Sequence, residues 1–249
     1  MLKVYGIEHI LFLLIVTIIS TFSLILLKKY IKNEKKQKIV IIIFAIIHFS
    51  LVVWNRLAVN EYNLNLLRLL PTSFCGTTSF VFPFCIVFCK KDSKILQFAS
   101  SCALLGGIVT LAYPDFIGQD ASIFYDKTIT GLLHHVFLVY NFILICIFGR
   151  YKPSMKNWNS LILGLCCYMT YGIFSITIIG NSDAMVIYNP LLPGSIFNWF
   201  VTGILFIILY TICLLIYERI AFKKENRWLS NILNKFKKNK NNHINDENI

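Results

Sequence analysis

The stretch ITGLLHHVFLVYNFILICIFG, residues 129–149, decides the fold class of this chain. As a helix rising 1.5 Å per residue, it reaches about 30 Å, the thickness of the hydrocarbon core of a bilayer. Its apolar side chains are typical of a membrane-spanning helix, but the adjacent His134 and His135 are not. Ionisable groups inside a membrane are costly and usually have a function. The stretch therefore predicts a transmembrane helix that carries part of a site.

Apolar runs of similar length recur along the chain, which is 57% hydrophobic and has a mean hydropathy of +0.67. This composition is typical of integral membrane proteins. We predict an all-α polytopic bundle of seven transmembrane helices over residues 1–217, followed by a basic cytoplasmic tail, 218–249, with an amphipathic surface helix. The first run is longer than a signal-peptide core, and we expect it to be retained. The predicted spans are 7–27, 39–59, 70–89, 95–113, 129–149, 159–180 and 195–217.

Basic residues predict the orientation, because cytoplasmic loops retain Lys and Arg. The segments 28–38, 90–94 and 150–156 hold six, three and three of them, and the tail holds eight, which accounts for 20 of the 24 in the chain. The intervening loops are acidic or neutral. The pattern predicts an external N-terminus and a cytoplasmic C-terminus in a multi-pass protein of the cell membrane; the resemblance described below implies the bacterial cytoplasmic membrane.

The net charge of +12 is divided among four short segments rather than gathered in one groove, so we expect no nucleic-acid partner. The eight cysteines match no zinc or redox spacing and predict neither a metal site nor a disulfide framework. No cofactor is expected. The long loops 114–128 and 181–194, both external on the predicted topology, are candidates for a lid.

Polar residues of four predicted spans fall at similar depths in the outer leaflet. Cys75 lies one to two turns inside its span, and His134 and His135 lie about 8 to 10 Å inside theirs. A membrane thiol needs a nearby base to act as a nucleophile, and an imidazole can supply one. Thr72, Ser73 or a backbone N–H near them could stabilise an oxyanion. The predicted supporting residues are Glu8, His9, Trp54, Asn55, Thr72, Ser73 and Asn141.

Helical spacing bears on which histidine faces the bundle. Thr130, His134 and Asn141 fall on one stripe, whereas His135 shares its face with large apolar residues. The pattern favours His134, but a wide cavity would admit both. Structural roles are expected for His9 and His48.

The chain resembles the YwaF-like bacterial integral membrane proteins and their eukaryotic relative, transmembrane protein 164. The matching pieces cover nearly the whole chain: Gly6-Ile7-Glu8-His9-Ile10-Leu11, Trp54, Leu70-Pro71 with Phe74-Cys75, Gly106-Gly107 with Tyr113-Pro114, His134-His135, Gly180-Asn181 and Leu192-Pro193. The family pattern Leu-Pro-Leu-His-Leu-Cys is altered here, because Thr72 and Ser73 replace an apolar residue and a histidine.

This resemblance implies a polytopic acyltransferase that moves a fatty acyl chain between phospholipid and lysophospholipid, with Cys75 as nucleophile and His134 or His135 as base. More distant relatives imply lipid ester hydrolysis as a close variant. The polar residues also fit two other classes, a transporter of a small solute or ion and a non-catalytic accessory membrane protein. The hypothesis is an enzyme that acts on membrane lipids through an outer-leaflet Cys–His site.

Overall fold

The computed structural model describes residues 6–113, 122–192, 194–223, 227–228 and 230–231. All regular structure in these residues is helical, which agrees with the predicted all-α class. A short 3-10 helix, Met155–Asn157, precedes α7. The eight α-helices are α1 (Ile7–Tyr30), α2 (Glu34–Val59), α3 (Leu66–Leu69), α4 (Phe74–Phe88), α5 (Lys94–Ala112), α6 (Asp126–Ile147), α7 (Asn159–Thr177) and α8 (Trp199–Ala221).

Six of the described helices, all except α3 and α4, are long and apolar enough to cross a membrane. Six of the seven predicted spans correspond to these helices, and the third corresponds to the shorter apolar helix α4. With 15 residues, α4 is about 22 Å long. The predicted third span, 70–89, was too long at its start, because Leu70 precedes a proline and is held in an extended conformation. Ser73 then caps α4 by accepting a hydrogen bond from the Gly76 N–H at 3.1 Å.

The centre of the bundle is formed by α2, α4, α5 and α6. Helix α6 packs against α2 and α5, while α4 packs against α5 and α2, and α7 covers the other side of α5. The core between them includes Phe82, Leu96, Leu138 and Leu144, whose side chains are fully buried. Helix α1 contacts mainly α6, so the two outer helices, α1 and α8, are the least covered by protein.

The outer surface of these helices is apolar. In α1, for example, Ile10, Leu14, Ile18 and Phe22 are each more than half exposed. Water-exposed surfaces of monomeric proteins rarely carry apolar patches of this extent, whereas lipid accommodates them without cost. The chain is a multi-pass membrane protein.

The basic connections gather at one end of the bundle, which we call the basic end. The connections α4–α5 and α6–α7 are joined there, since the Lys152 N–H donates to the Asp92 carboxylate at 2.7 Å and the Asn157 side chain donates to the Asp92 carbonyl at 2.9 Å. The opposite end carries the start of α4 and is called the Cys75 end. The sequence prediction that these connections share one side of the bundle is thus met by direct contacts.

The end of α8 is tied to the same connections through Glu218, which is 3% exposed. Its carboxylate accepts hydrogen bonds from the Ser154 hydroxyl, the Met155 N–H and, beyond α8, the Trp228 N–H, at 3.1, 2.8 and 3.0 Å. The tail is therefore anchored where it leaves the bundle. Most of the predicted amphipathic helix lies outside the described residues.

Candidate active site

The segment before α4 is held by Arg56, which lies near the end of α2. The Arg56 guanidinium donates to the carbonyl oxygens of residues 68, 69 and 70 at 3.1, 3.1 and 3.2 Å. The carbonyls of residues 68 and 69 lie at the end of α3 and that of Leu70 follows it, and no backbone N–H of the described residues donates to any of them, so they need donors from elsewhere. Arg56 supplies three donors from one planar group and fixes the path of the chain into α4.

The next two carbonyls are bound from the α7 side. The Tyr171 hydroxyl donates to the Pro71 carbonyl at 2.7 Å, and the Met185 N–H donates to the Thr72 carbonyl at 2.7 Å. Five consecutive carbonyl groups, those of residues 68–72, therefore have donors on other parts of the chain. This continuous set positions the start of α4 and, with it, Cys75.

The Cys75 thiol points from the first turn of α4 towards α5. It donates to the Gly106 carbonyl at a sulfur–oxygen distance of 3.8 Å, and the Thr110 hydroxyl donates to the sulfur at 3.6 Å. A Cβ at position 106 would lie 3.1 Å from the sulfur, so glycine makes room for the thiol there. Cys75 thus lies in a partly buried niche with one hydroxyl donor aimed at its sulfur.

The start of α4 also provides backbone donors. The Ser73 hydroxyl is used as the cap of Gly76, so it is already occupied as an acceptor. Among the described residues, the N–H groups of Phe74 and Cys75 have no hydrogen-bond partner. Unpaired N–H groups in the first turn of a helix favour a negative charge close to them. They would therefore favour a thiolate or an oxyanion at Cys75.

The histidine pair is placed by the first turns of α6. His134 Nδ1 lies 2.8 Å from the Thr130 carbonyl, and His135 Nδ1 lies 2.6 Å from the Gly131 carbonyl. A carbonyl oxygen only accepts, so each Nδ1 carries the proton. In the neutral rings Nε2 is then the unprotonated nitrogen, the form that a general base requires.

Both histidines are directed into the bundle. Their side chains are 5% and 3% exposed, and the two ring centroids are 4.1 Å apart. The helical spacing predicted that His134 rather than His135 faces the bundle, but both side chains do. Helix α6 is covered on one side by α2 and on the other by α5. His135 Nε2 is buried, and no group of the described residues forms a hydrogen bond with it.

Two neighbouring glycines of α5, Gly106 and Gly107, show where Cys75 lies relative to the histidine pair. Gly106 faces Cys75, whereas a Cβ at Gly107 would lie 3.1 Å from the His135 carbonyl oxygen and 2.7 Å from a methyl group of Val139. Cys75 and the His135 backbone therefore lie at the same level of the bundle, against adjacent faces of α5. Within the described residues no hydrogen bond joins the thiol to either imidazole.

A polar layer continues from the histidines towards α2. His48, which was expected to have only a structural role, is fully buried and has a partner, since its Nδ1 lies 3.3 Å from the Asn141 amide nitrogen. In the described part of the chain, neither His48 Nε2 nor the Asn141 side-chain oxygen has a hydrogen-bond partner. Asn55 donates to the Thr130 hydroxyl at 3.1 Å and so joins the same layer. Asn141 and Asn55 thus belong to a buried polar layer, Asn141 through its contact with His48 and Asn55 through its contact with Thr130.

The other predicted supporting residues are spread over the Cys75 end. Glu8 is exposed on α1, and Trp54 is 47% exposed on α2. His9 is fully buried, with Nε2 2.9 Å from the Leu111 carbonyl. Thr72 and Ser73 lie in the segment before α4, where Thr72 contributes its carbonyl and Ser73 the helix cap.

Part of the predicted lid packs over this end. The Asp183 carboxylate accepts hydrogen bonds from the N–H groups of residues 184 and 187–189, which folds the loop after α7 into a compact turn. Within that turn Met185 is fully buried and has a positive φ of 53°. Its N–H bond to Thr72 joins the loop directly to the segment before α4. Residues 114–121 of the other predicted lid lie outside the described residues.

Three residues of the site were not singled out in the sequence: Thr110, Tyr171 and Met185. Thr110 carries a usable signal, because it lies four residues after Gly106 and so shares its helical face. Met185 gives none, since its role depends on a backbone N–H. Comparison with curated proteins gives no match, and comparison with solved structures gives none either. A family model matches residues 4–222, nearly the whole chain, and the protein therefore belongs to the TMEM164 family.

Proposed function

We propose that this protein is a membrane acyltransferase that uses Cys75 as its nucleophile and His134 or His135 as its base. The observation that supports this most directly is the position of Cys75 in the first turn of α4, beside two unpaired N–H groups and level with two Nδ1-protonated imidazoles. Cysteine nucleophiles are favoured at helix N-termini and near a base. The bacterial, YwaF-like membership and the cytoplasmic-membrane location are part of the same proposal.

In the proposed first step, Nε2 of one histidine takes the thiol proton, and the thiolate attacks the ester carbonyl of a phospholipid. The N–H groups of Phe74 and Cys75 receive the oxyanion of the tetrahedral intermediate. Its collapse breaks the ester C–O bond and leaves a thioester on Cys75. The imidazolium returns its proton to the departing lysophospholipid.

In the second step a lysophospholipid hydroxyl gives its proton to the same histidine and attacks the thioester. The C–S bond breaks, the new ester is released, and the thiol regains the proton. Water in place of the lysophospholipid gives a free fatty acid, which is the hydrolase variant. Both outcomes use the same residues, so the acceptor alone distinguishes them.

The proposal requires that thiol and imidazole come together when substrate binds, since they do not touch in the unliganded arrangement. Catalytic contacts are often loose without substrate. The orientation with the basic end in the cytoplasm would place Cys75 in the outer leaflet. Glu8, His9, Trp54, Asn55, Thr72, Ser73 and Asn141 would support this site.

Thioester trapping tests the mechanism. The full-length protein is incubated with a phospholipid that carries an alkyne-labelled acyl chain, and the label on each cysteine is measured with and without hydroxylamine. We expect a hydroxylamine-sensitive label on Cys75 that is absent from C75A. The double variant H134Q/H135Q should slow labelling by about 100-fold or more.

The matched control is C102A, which removes a buried thiol of α5 and should leave labelling and transfer unchanged. Full transfer activity in C75A would contradict the nucleophile. Unchanged rates in the double histidine variant would contradict the base.

A second candidate, a transporter, is favoured by the row of unpartnered buried polar atoms, which includes His48 Nε2, His135 Nε2 and the Asn141 carbonyl oxygen. Such groups mark polar pathways in membrane proteins. Proteoliposomes that take up a solute when a pH gradient is applied, and lose this uptake in H48Q, would support it. Uptake that H48Q leaves unchanged would contradict it.

A further inference from the structure

A cavity of about 300 Å³ opens at the basic end, between the start of α2 and the ends of α4 and α6. It is remote from the candidate active site, since Ile86 in its wall follows Cys75 by 11 residues of α4, or about 16 Å of helix. No step of the proposed acyl transfer uses it.

The rim of the cavity is basic. Lys35 and Lys38 of α2 reach it from one side, and Lys91 and Arg150 from the two neighbouring connections. Glu34 is the one carboxylate among its lining residues. Among the described residues, these four cations make no ion pair within the cavity or outside it. The rim therefore carries four cations against one carboxylate and has an excess of positive charge.

Arg150 is held in place at this rim. Gly149 adopts a positive φ of 66° at the end of α6, and the Arg150 N–H then bonds back to the Ile145 carbonyl at 2.9 Å. The guanidinium donates to the Cys89 carbonyl, the C-cap of α4, at 2.5 Å. This bond fixes one guanidinium nitrogen beside the cavity, and no acceptor among the described residues binds the other two, which can therefore meet an anion.

The floor of the cavity is apolar and is formed by side chains of the bundle. Ile41 and Ile86 are 4% and 1% exposed, and Val87 and Phe148 lie partly buried beside them. A free anion needs no apolar floor, whereas a phospholipid presents a phosphate next to its glycerol and acyl chains. The neighbouring surfaces of α2 and α6 would meet those chains, because Ile39 and Ile143 are exposed there.

We propose that this cavity binds the headgroup of an anionic phospholipid. The phosphate is received by Lys38, Lys91 and Arg150, and the upper acyl chains lie on the apolar floor and the adjoining helix surface. Basic pockets between transmembrane helices recognise anionic lipid headgroups through this combination of charge and depth. The proposal depends on neither the acyl-transfer mechanism nor the identity of its base.

Lipid binding to the full-length protein in a zwitterionic detergent tests this. The probes are dioctanoyl phosphatidylglycerol, dioctanoyl phosphatidylcholine and inorganic phosphate, and Kd is measured by thermophoresis. We expect the anionic lipid to bind at least tenfold more tightly than the zwitterionic one. Inorganic phosphate should not displace it. If inorganic phosphate displaced phosphatidylglycerol at a concentration as low as the Kd of that lipid, the cavity would be a site for free anions and the lipid assignment would be overturned.

The chain offers a closely matched pair of variants. K38Q/K91Q removes two rim charges, whereas K36Q/K90Q removes two exposed lysines from the same two segments outside the cavity. We expect K38Q/K91Q to weaken binding about tenfold or more and K36Q/K90Q to leave it within twofold. If both variants weakened lipid binding equally, the lipid would be responding to the general positive charge of this surface, and the assignment of the cavity as its site would be overturned. Both variants change exposed side chains, so each should fold, and unchanged thermal unfolding verifies this.

Discussion

Replacement of Arg56 by methionine removes the group that holds the entrance of α4. Methionine is unbranched and keeps much of the apolar stem, but it has no hydrogen-bond donor. The Arg68 carbonyl retains a donor in R56M, because the Asn60 side chain also reaches it at 3.0 Å. The carbonyls of Leu69 and Leu70 lose the one side-chain donor that the described residues give them.

The size of the effect follows from these two carbonyls. An orphaned buried acceptor costs about 1 to 3 kcal/mol. Because the segment is only partly buried, water can reach it and the lower half of that range applies, so R56M should lower the free energy of unfolding by about 2 to 4 kcal/mol. The segment should also become free to move, which would expose Cys75.

Unfolding in mixed detergent–SDS micelles measures the stability, and peptide-resolved labelling with a maleimide measures the access to Cys75. The matched control is R68M, which makes the same chemical change at an exposed side chain that holds no carbonyl and should cost no more than about 0.5 kcal/mol. Equal stability of R56M and R68M, with Cys75 labelled at the wild-type rate in both, would refute this role of Arg56.

Three further perturbations have defined outcomes. G107A should destabilise the bundle by about 1 to 3 kcal/mol in the same unfolding assay, because the new methyl would lie 2.7 Å from Val139 unless α5 and α6 separate; a stable G107A with unchanged transfer would contradict the close packing. E218Q leaves one acceptor oxygen but not the full set of hydrogen bonds, so it should lower the free energy of unfolding by about 1 to 3 kcal/mol. It should also increase proteolysis of the tail, and a tail as resistant as in the wild type would contradict its anchoring by Glu218. The pKa of Tyr62 is raised by its hydrogen bond to the Asp126 carboxylate. The protonated phenol is thus favoured in the folded state, and its stabilising contribution is complete below the ordinary pKa of 10.0 and is lost as pH rises through the raised value. A pH titration of tyrosinate absorbance, taken as the difference between wild type and Y62F, should show the raised midpoint of Tyr62, and D126N should lower that midpoint. A Tyr62 midpoint at the ordinary value in the wild type would contradict the contact with Asp126.

Most of the fold could be predicted because it depends on lengths of apolar sequence. A run such as 129–149 has one physical solution in a bilayer, a helix whose own hydrogen bonds satisfy its backbone. The error at 70–89 has a local cause, since an apolar count does not register that Pro71 and Ser73 delay the start of the helix. A capping signal at Ser73 was present in the sequence and would have corrected it.

The candidate site was only partly predictable. Cys75 and the histidine pair could be identified because they are polar groups in apolar runs. Which histidine faces the bundle could not be predicted, because that depends on how many helices surround α6. His48 likewise acquires a partner, Asn141, only through the packing of α2 on α6.

By itself, the sequence determined the helical class, the approximate spans and the gathering of basic connections at one end, because each follows from the transfer of local stretches between water and lipid. The tertiary structure decided which polar groups meet. It placed Arg56 on the carbonyls before α4 and set Cys75 and His135 against two neighbouring glycines of α5. It also joined three basic segments around a cavity. These arrangements depend on contacts between residues far apart in the chain, and no local pattern encodes such distances.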